Sequence, residues 1–214
     1  IRKNNFYQKN KKNITHYGMK IEDNVIHDIF NTLIKKSNYQ KRKKEIFNFN
    51  NKNKILKKGI SITPVKFGIS FTTTHLNQGG SLVHIYTDGS VHLNHGGIEM
   101  GQGLMTKISQ IAANEFGISL DDIKITSTHT EKVPNTSASA ASASTDLNGA
   151  AVLNAIDKIK KNLANHITRK FKYKGKVIKY KNNKVYFGQQ KIEFKKLISN
   201  AYLARISLSA SGFY

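Results

Sequence analysis

SLVHIYTDGSVHLNHGGIEMGQGL, residues 81–104, carries two runs of alternating apolar and polar residues on either side of Thr87-Asp88-Gly89-Ser90. Alternation with a period of two marks a strand, and Asp-Gly readily adopts the positive φ of a two-residue hairpin turn, so a β-hairpin is predicted here. The exit, HGGIEMGQGL from His95 to Leu104, runs from that hairpin into a helical pattern. A glycine-rich turn that opens a helix presents unpaired backbone N–H groups and the positive end of the helix dipole, and its missing Cβ atoms let an anion come close. The motif is neither GxxxxGK[ST] nor GxGxxG followed by an acidic residue about 20 positions on. Two readings stand at this point: a cradle for a polar or anionic ligand, or a tight turn and nothing more.

Downstream, Leu104, Ile108, Ile111, Ala112 and Phe116 form a helical stripe closed by Gly117, and DDIKITST reads as a strand with Ile123 and Ile125 on one face. From Ser137 to Thr145 every side chain is small. Composition suggests a linker, but the stretch leads directly into a helix with Val152, Ala155, Ile156, Ile159 and Leu163 on one face. KVIKYKNNKVYFG predicts a hairpin turning at Asn182-Asn183, a short helix covers Phe194 to Leu203, and SLSASGFY reads as a strand. Upstream, residues 1–20 are polar and irregular, and helices are predicted from Asp23 through Ile34 and from Tyr39 to Phe49. GISITPVKFGISF, 59–71, is β-branched and aromatic, with Pro64 and Gly68 interrupting it as at a sheet edge, bulge or bend. The fold class expected is α+β, with mixed sheets, β-hairpins and packed helices. A basic helical segment 1–58 is expected to precede an α+β domain 59–214.

The 214 residues carry a net charge of +22 and no cysteine. Disulfides and thiolate metal sites within the chain are therefore excluded. A strongly basic chain ordinarily favours a polyanion, but here residues 1–58 carry +12, 59–150 carry −3 and 151–214 carry +13. The basicity lies in flanks where Lys and Asn rise together, a compositional bias rather than a binding face, and no nucleic-acid partner is expected. With no apolar run of roughly 18 residues and no signal-peptide pattern, a cytoplasmic, non-membrane protein is expected.

The eight histidines offer no HExxH, and His92 and His95 fall on opposite sides of a strand. Glu99 is the carboxylate inside the glycine motif; anchoring the loop's backbone amides is a better reading for it than base catalysis. Ser142 and Ser144 add hydroxyl donors beside exposed backbone. Phe67 and Phe71 suit core packing, or in the case of Phe71 a planar ligand.

Taken together, KFGISFTTTHLNQGG, VHIYTDGSVHLNHGGIEMGQGLMTK, VPNTSASAAS and STDLNG resemble the molybdenum-binding subunit of the xanthine dehydrogenase family, within the xanthine oxidase and aldehyde oxidase superfamily. The resemblance is densest from Gly59 to Gly149. It implies a molybdenum–molybdopterin cofactor held by its pterin, with no protein ligand to the metal. It implies pterin contacts at Met100, Gly101 and Gln102 and at Ala141, Ser142, Ala143 and Ser144, and substrate contacts at Phe71, Thr72 and Leu76. Ile98, where relatives often have Thr, and Gly79-Gly80-Ser81, in place of a Gly-Ala pair, are mild departures. The implied reaction is purine hydroxylation, of hypoxanthine and xanthine to urate, with electrons passing through 2Fe-2S and FAD to NAD on a partner subunit or domains of a hetero-oligomer. An aldehyde or another N-heterocycle is the alternative substrate, and a basic nucleic-acid-binding module the alternative of another class. FGGKE, FRGFG and GEPP, the family motifs that carry the base glutamate and the substrate arginine, do not occur in 1–214. No catalytic residue is therefore assigned, and the chain is expected to be part of a subunit, inactive alone.

Overall fold

The computed structural model describes residues 1–132 and 135–214; Val133 and Pro134, the head of the VPNTSASAAS motif, lie outside the described residues. The chain forms two compact units, Ile1–Phe67 and Gly68–Tyr214.

In the first unit, the predicted helices are α1, Ile26–Lys36, and α2, Tyr39–Lys52, joined through Asn38 at φ 50°. Neither helix buries a residue fully. Phe6 covers part of α1, edge-on to His27 and Phe30. The irregular segment before α1 makes one tight turn, closed by the Ile14–Lys20 bridge. Residues 59–71 form no strand. β-branched residues favour extended backbone but cannot form a ladder without a partner. Val65, Phe67 and Ile69 are largely exposed, so Phe67 is not the core residue its sequence context suggested.

The second unit is built on a sheet whose strand order is β3-β2-β1-β7. Its centre is the predicted hairpin, β1 (Gly80–Ile85) and β2 (Val91–His95), in the register Ser81–His95 to Ile85–Val91. The turn differs from the expected two-residue form. Tyr86 N–H donates to Ser90 O, Gly89 N–H donates to Tyr86 O, and only Gly89 takes a positive φ, 86°. This is a three-residue loop ending in a left-handed glycine. Asp88 accepts from Ser90 N–H and so stays right-handed instead of sharing the positive φ. β3 (Ile123–Ile125) runs parallel to β2, and β7 (Ser209–Phe213) antiparallel to β1.

Two helices cover one face of this sheet: α3, Leu104–Phe116, and α4, Ser144–Phe171. Their stripes, Leu104, Ile108, Ala112 and Phe116 on α3 and Val152, Ala155, Ile156, Ile159 and Leu163 on α4, close over Val83, Ile85, Val91 and Leu93. Contact between α4 and β7 is so close that a Cβ on Gly212 would collide with the Ala151 carbonyl. α4 extends eight residues past the predicted stripe, burying His166 and Ile167 as well.

A second sheet is the meander β4 (Ile178–Lys181), β5 (Lys184–Phe187), β6 (Gln190–Glu193). Asn182 and Asn183 both take positive φ, 52° and 57°, the paired left-handed turn that twists with its strands. β6 was not foreseen, since four residues without an apolar alternation give no strand signal; it forms by pairing with β5. Asn183 N–H donates to Gly117 O at 2.7 Å, which docks the meander on the end of α3, where Gly117 sits at φ 62°. α5, Phe194–Leu203, adds Phe194, Leu197 and Ile198 to the core. No described helix is long and apolar enough to cross a membrane.

Candidate functional site: a cleft between two helix starts

At one end of the second unit, three segments that lie far apart in sequence are tied together by short hydrogen bonds. Ser70 N–H donates to Ala141 O at 3.0 Å. Ile98 N–H donates to Ser139 Oγ at 2.7 Å. Gln78 and Ser137 are joined twice, by Ser137 N–H to Gln78 O at 3.0 Å and Gln78 N–H to Ser137 Oγ at 3.2 Å. The small-residue stretch is thus the keystone between the Phe71 turn and the glycine loop. It is no flexible linker. The glycines beside this stretch have no room for a side chain: a Cβ on Gly96 would collide with the Thr136 side chain, and one on Gly79 would lie 2.7 Å from Leu147 O.

In the glycine loop, Glu99 does the anchoring that its position suggested. Its carboxylate accepts from Gly101 N–H at 2.8 Å, Gly103 N–H at 2.9 Å and Met105 N–H at 3.2 Å. These bonds, that from Gly103 foremost, hold its pKa below the usual carboxylate range. The consequence bears on the two readings left open: the N–H groups at the start of α3 already have an anion, supplied by the chain itself. Gln102 closes the loop further, its Nε2 donating to Ile98 O at 2.8 Å and its Oε1 accepting from Met100 N–H at 2.6 Å. Met100 projects from this braced turn, two-thirds exposed.

The start of α4 is different. Ala141 and Ser142 take the left-handed conformation in succession, at φ 52° and 54°, an unfavourable state for residues with a Cβ. The double reversal turns the chain into α4, whose first turn has no side-chain cap, so its N–H groups lack an intrahelical partner and have the helix dipole behind them. Ala143 is 1% exposed and wedges the turn against the core.

Between the braced loop and the open helix start lies a cleft of about 440 Å³, lined by Met100, Gln102, Lys107, Ser139, Ala140, Ser142, Ser144 and Thr145. Four of the seven residues expected to meet a cofactor, Met100, Gln102, Ser142 and Ser144, thus share one wall system. Gly101 shapes the loop at φ 96°, and Ala141 and Ala143 shape the helix entry. Phe71, half-buried, has its N–H and C=O both held by the Asn77 side chain, at 2.9 and 2.8 Å. It is not part of the buried core; with Thr72 and Leu76 it forms an exposed turn joined to the cleft wall through Ser70. Sequence reasoning missed Lys107, Ser139, Ala140 and Thr145. Lys107 stands one turn into α3 at the flank of the apolar stripe, where helical phase marks a surface position but not a cleft; Ser139 and Ala140 depend on how the left-handed turn folds back. Among the described residues, no cluster of three or more His, Cys, Asp or Glu could hold a metal ion.

The molybdopterin cofactor-binding domain family matches residues 32–214. The chain is 44% identical over 201 residues to xanthine dehydrogenase of Oryza sativa subsp. japonica, covering 94% of this chain and 13% of that protein. Over 214 residues it is 44% identical to xanthine dehydrogenase of Calliphora vicina and to xanthine dehydrogenase/oxidase of Mus musculus, covering all of this chain and 14% of each. The chain therefore spans about one seventh of the length of these relatives. Among solved structures, quinoline 2-oxidoreductase from Pseudomonas putida 86 shares the fold, with a TM-score of 0.79 and 18% identity over 94% of this chain and 28% of that one. CO dehydrogenase from Oligotropha carboxidovorans is 26% identical with a TM-score of 0.58, over 64% of this chain and 18% of that one. With the cleft and its three converging segments described, the match over 32–214 identifies the chain as a member of the molybdopterin cofactor-binding domain family.

Proposed function

We propose that the second unit, residues 68–214, forms one wall of a molybdopterin site in a purine-hydroxylating molybdenum hydroxylase of the xanthine dehydrogenase type. The observation that carries this reading is the cleft at the start of α4, where an uncapped helix start, four hydroxyls and Lys107 line one space. Molybdopterin bears a phosphate and a flat pterin rimmed by donors and acceptors, and the lining suits both. Lys107 and the first turn of α4 would neutralise the phosphate. Ser142, Ser144 and Thr145 would donate to acceptors of the group, and the outer lone pair and hydrogen of the Gln102 amide would meet its polar edge. Met100 would lie against the ring as an adaptable apolar contact. Ala141 and Ala143 would set the backbone approach and Gly101 the turn.

The bound cofactor supplies a redox metal for hydroxylating a purine carbon with oxygen from water, with release of two electrons. The chain's own part is to hold and orient that group. Phe71 and Thr72 would present an aromatic and a hydroxyl to the purine, and Leu76 would line the mouth of its pocket. The electrons would leave through 2Fe-2S and FAD to NAD, carried by partner subunits or domains. The 44% identity to proteins named xanthine dehydrogenase supports a purine as substrate.

The test is pterin content, measured by fluorescence after oxidative release, in the assembled enzyme. Lys107→Ala with Ser142→Ala should lower pterin occupancy at least tenfold, since each lost contact to a charged group is worth about 1.5–3 kcal/mol. Full occupancy in that double variant would remove the cleft as the cofactor site.

A further inference from the structure

The core-facing stripe of the β1–β2 hairpin is apolar through Val83, Ile85, Val91 and Leu93, but its end next to the glycine loop is polar. Ser81 and His95 are direct cross-strand partners, so their side chains leave the sheet together on the face that carries the core. Asn148, in the second turn of α4, reaches the same place. Its Nδ2 and the Nδ1 of His95 lie 2.9 and 3.2 Å from the point that a Cβ on Gly97 would occupy. Ser81, His95 and Asn148 are 4%, 0% and 3% exposed. Among the described residues, Ser81 Oγ, His95 Nε2 and Asn148 Oδ1 have no hydrogen-bond partner. Left so, each would carry the desolvation penalty of a buried polar group with no bond to offset it.

The remaining bonds fix what these atoms offer. Gly97 N–H donates to His95 Nδ1 at 3.0 Å. A ring nitrogen that accepts carries no proton, so the neutral imidazole keeps its hydrogen on Nε2. Asn148 Nδ2 donates to Ser144 O at 2.9 Å, which leaves Oδ1 as an acceptor. Two donors, His95 Nε2–H and Ser81 Oγ–H, and one acceptor, Asn148 Oδ1, are therefore left unpaired at this buried end of the hairpin. That set matches a single water molecule, which needs about three such partners.

We propose that Ser81, His95 and Asn148 hold one buried water that fixes the His95 tautomer, and that His95 thereby acts as a positioning residue for the glycine loop through Gly97. Thr128 Oγ1 donates to Gly97 O at 2.6 Å. With His95 on its N–H and Thr128 on its carbonyl, Gly97 becomes a fixed root, and the turn from Ile98 to Gly103 grows from it. The consequence for the cofactor rests on the reading of Met100–Gln102 as a cofactor wall; the strut itself does not.

The tautomer is tested in chain 1–214 without any substitution, by 15N chemical shifts of the His95 ring at neutral pH. An Nε2–H tautomer is expected, and an Nδ1–H tautomer overturns the proposal. Two variants then separate the nitrogens, because the Asn side-chain oxygen stands near the position of Nδ1 and the Gln amide nitrogen near that of Nε2. Amide hydrogen exchange at Gly97 should speed up about tenfold in His95→Gln and stay near the parent value in His95→Asn, as expected for one hydrogen bond in a locally opening segment. Equal exchange in both variants also overturns it. Should either variant fail to fold, a crystal structure of the parent chain decides: a water bridging the three side chains supports the proposal, and direct contact among them refutes the water. If the strut passes these tests while His95→Gln leaves pterin occupancy of the assembled enzyme unchanged, the strut stands and the cofactor reading of the turn fails.

Discussion

Acidifying the chain charges a ring that the fold keeps neutral, and the cost follows from the burial of His95. Burial alone pushes its pKa down to about 4, from an ordinary 6.5. No charged group contributes; burial is the one cause. The unfolded chain thus takes up a proton as pH falls through 6.5, while the folded chain resists until about 4. Stability from this group is fully present above pH 6.5, declines between 6.5 and 4, and levels off below. The gap corresponds to roughly 3 kcal/mol in all, of which about 2 kcal/mol is lost by pH 5. His166, whose pKa burial and then Lys170 also lower, acts with the same sign, so the measurement is made in a His166→Gln background. Urea unfolding followed by circular dichroism at pH 7 and 5 gives the free energies, and the ring resonances of His95 give its titration. Glu99 and Asp88 also lose stabilising hydrogen bonds on protonation, but that loss sets in as pH falls through their ordinary values of 4.5 and 3.8, below the pH 5 arm. Equal stability at pH 7 and 5, or a His95 ring titrating near 6.5, would refute the buried neutral imidazole.

The other predictions concern the loop, the substrate side and the core. Glu99→Gln keeps size but removes the charge that three backbone N–H groups share; the loop should show faster amide exchange at Gly101 and Gly103, and unchanged exchange would show that the carboxylate does not brace it. Phe71→Ala in the assembled enzyme should weaken purine hydroxylation and leave molybdenum content intact, whereas loss of molybdenum would make Phe71 a structural residue. Gln102→Leu should reduce pterin occupancy and also loosen Met100, detected as faster exchange of its amide. Leu163→Ala, at a fully buried position of α4, should lower the unfolding free energy by about 3 kcal/mol, read from the same urea titration.

Sequence by itself determined the secondary elements whose causes are local. Period-two alternation around Asp88-Gly89 set the hairpin, period-3.6 stripes set α1, α3 and α4, and paired asparagines set the turn of the meander. The four motifs, read together, also marked the family, because their glycines, alanines and serines occur in one order. Tertiary structure decided what depends on groups distant in sequence. The segment 59–71 has strand-forming residues but no partner, while β6 has no strand pattern and pairs with β5. For the glycine loop the sequence left a ligand cradle and a bare tight turn both open, and the structure shows Glu99 filling the start of α3 from within. The open helix start belongs to the Ala/Ser stretch, which composition alone would call a linker. Lys107 became a cleft residue only once Ser139 and Ile98 brought the two helix starts together. Local propensity acts within a few residues of the chain, whereas a cleft is a relation between segments, fixed here by hydrogen bonds across 41 and 59 residues of sequence.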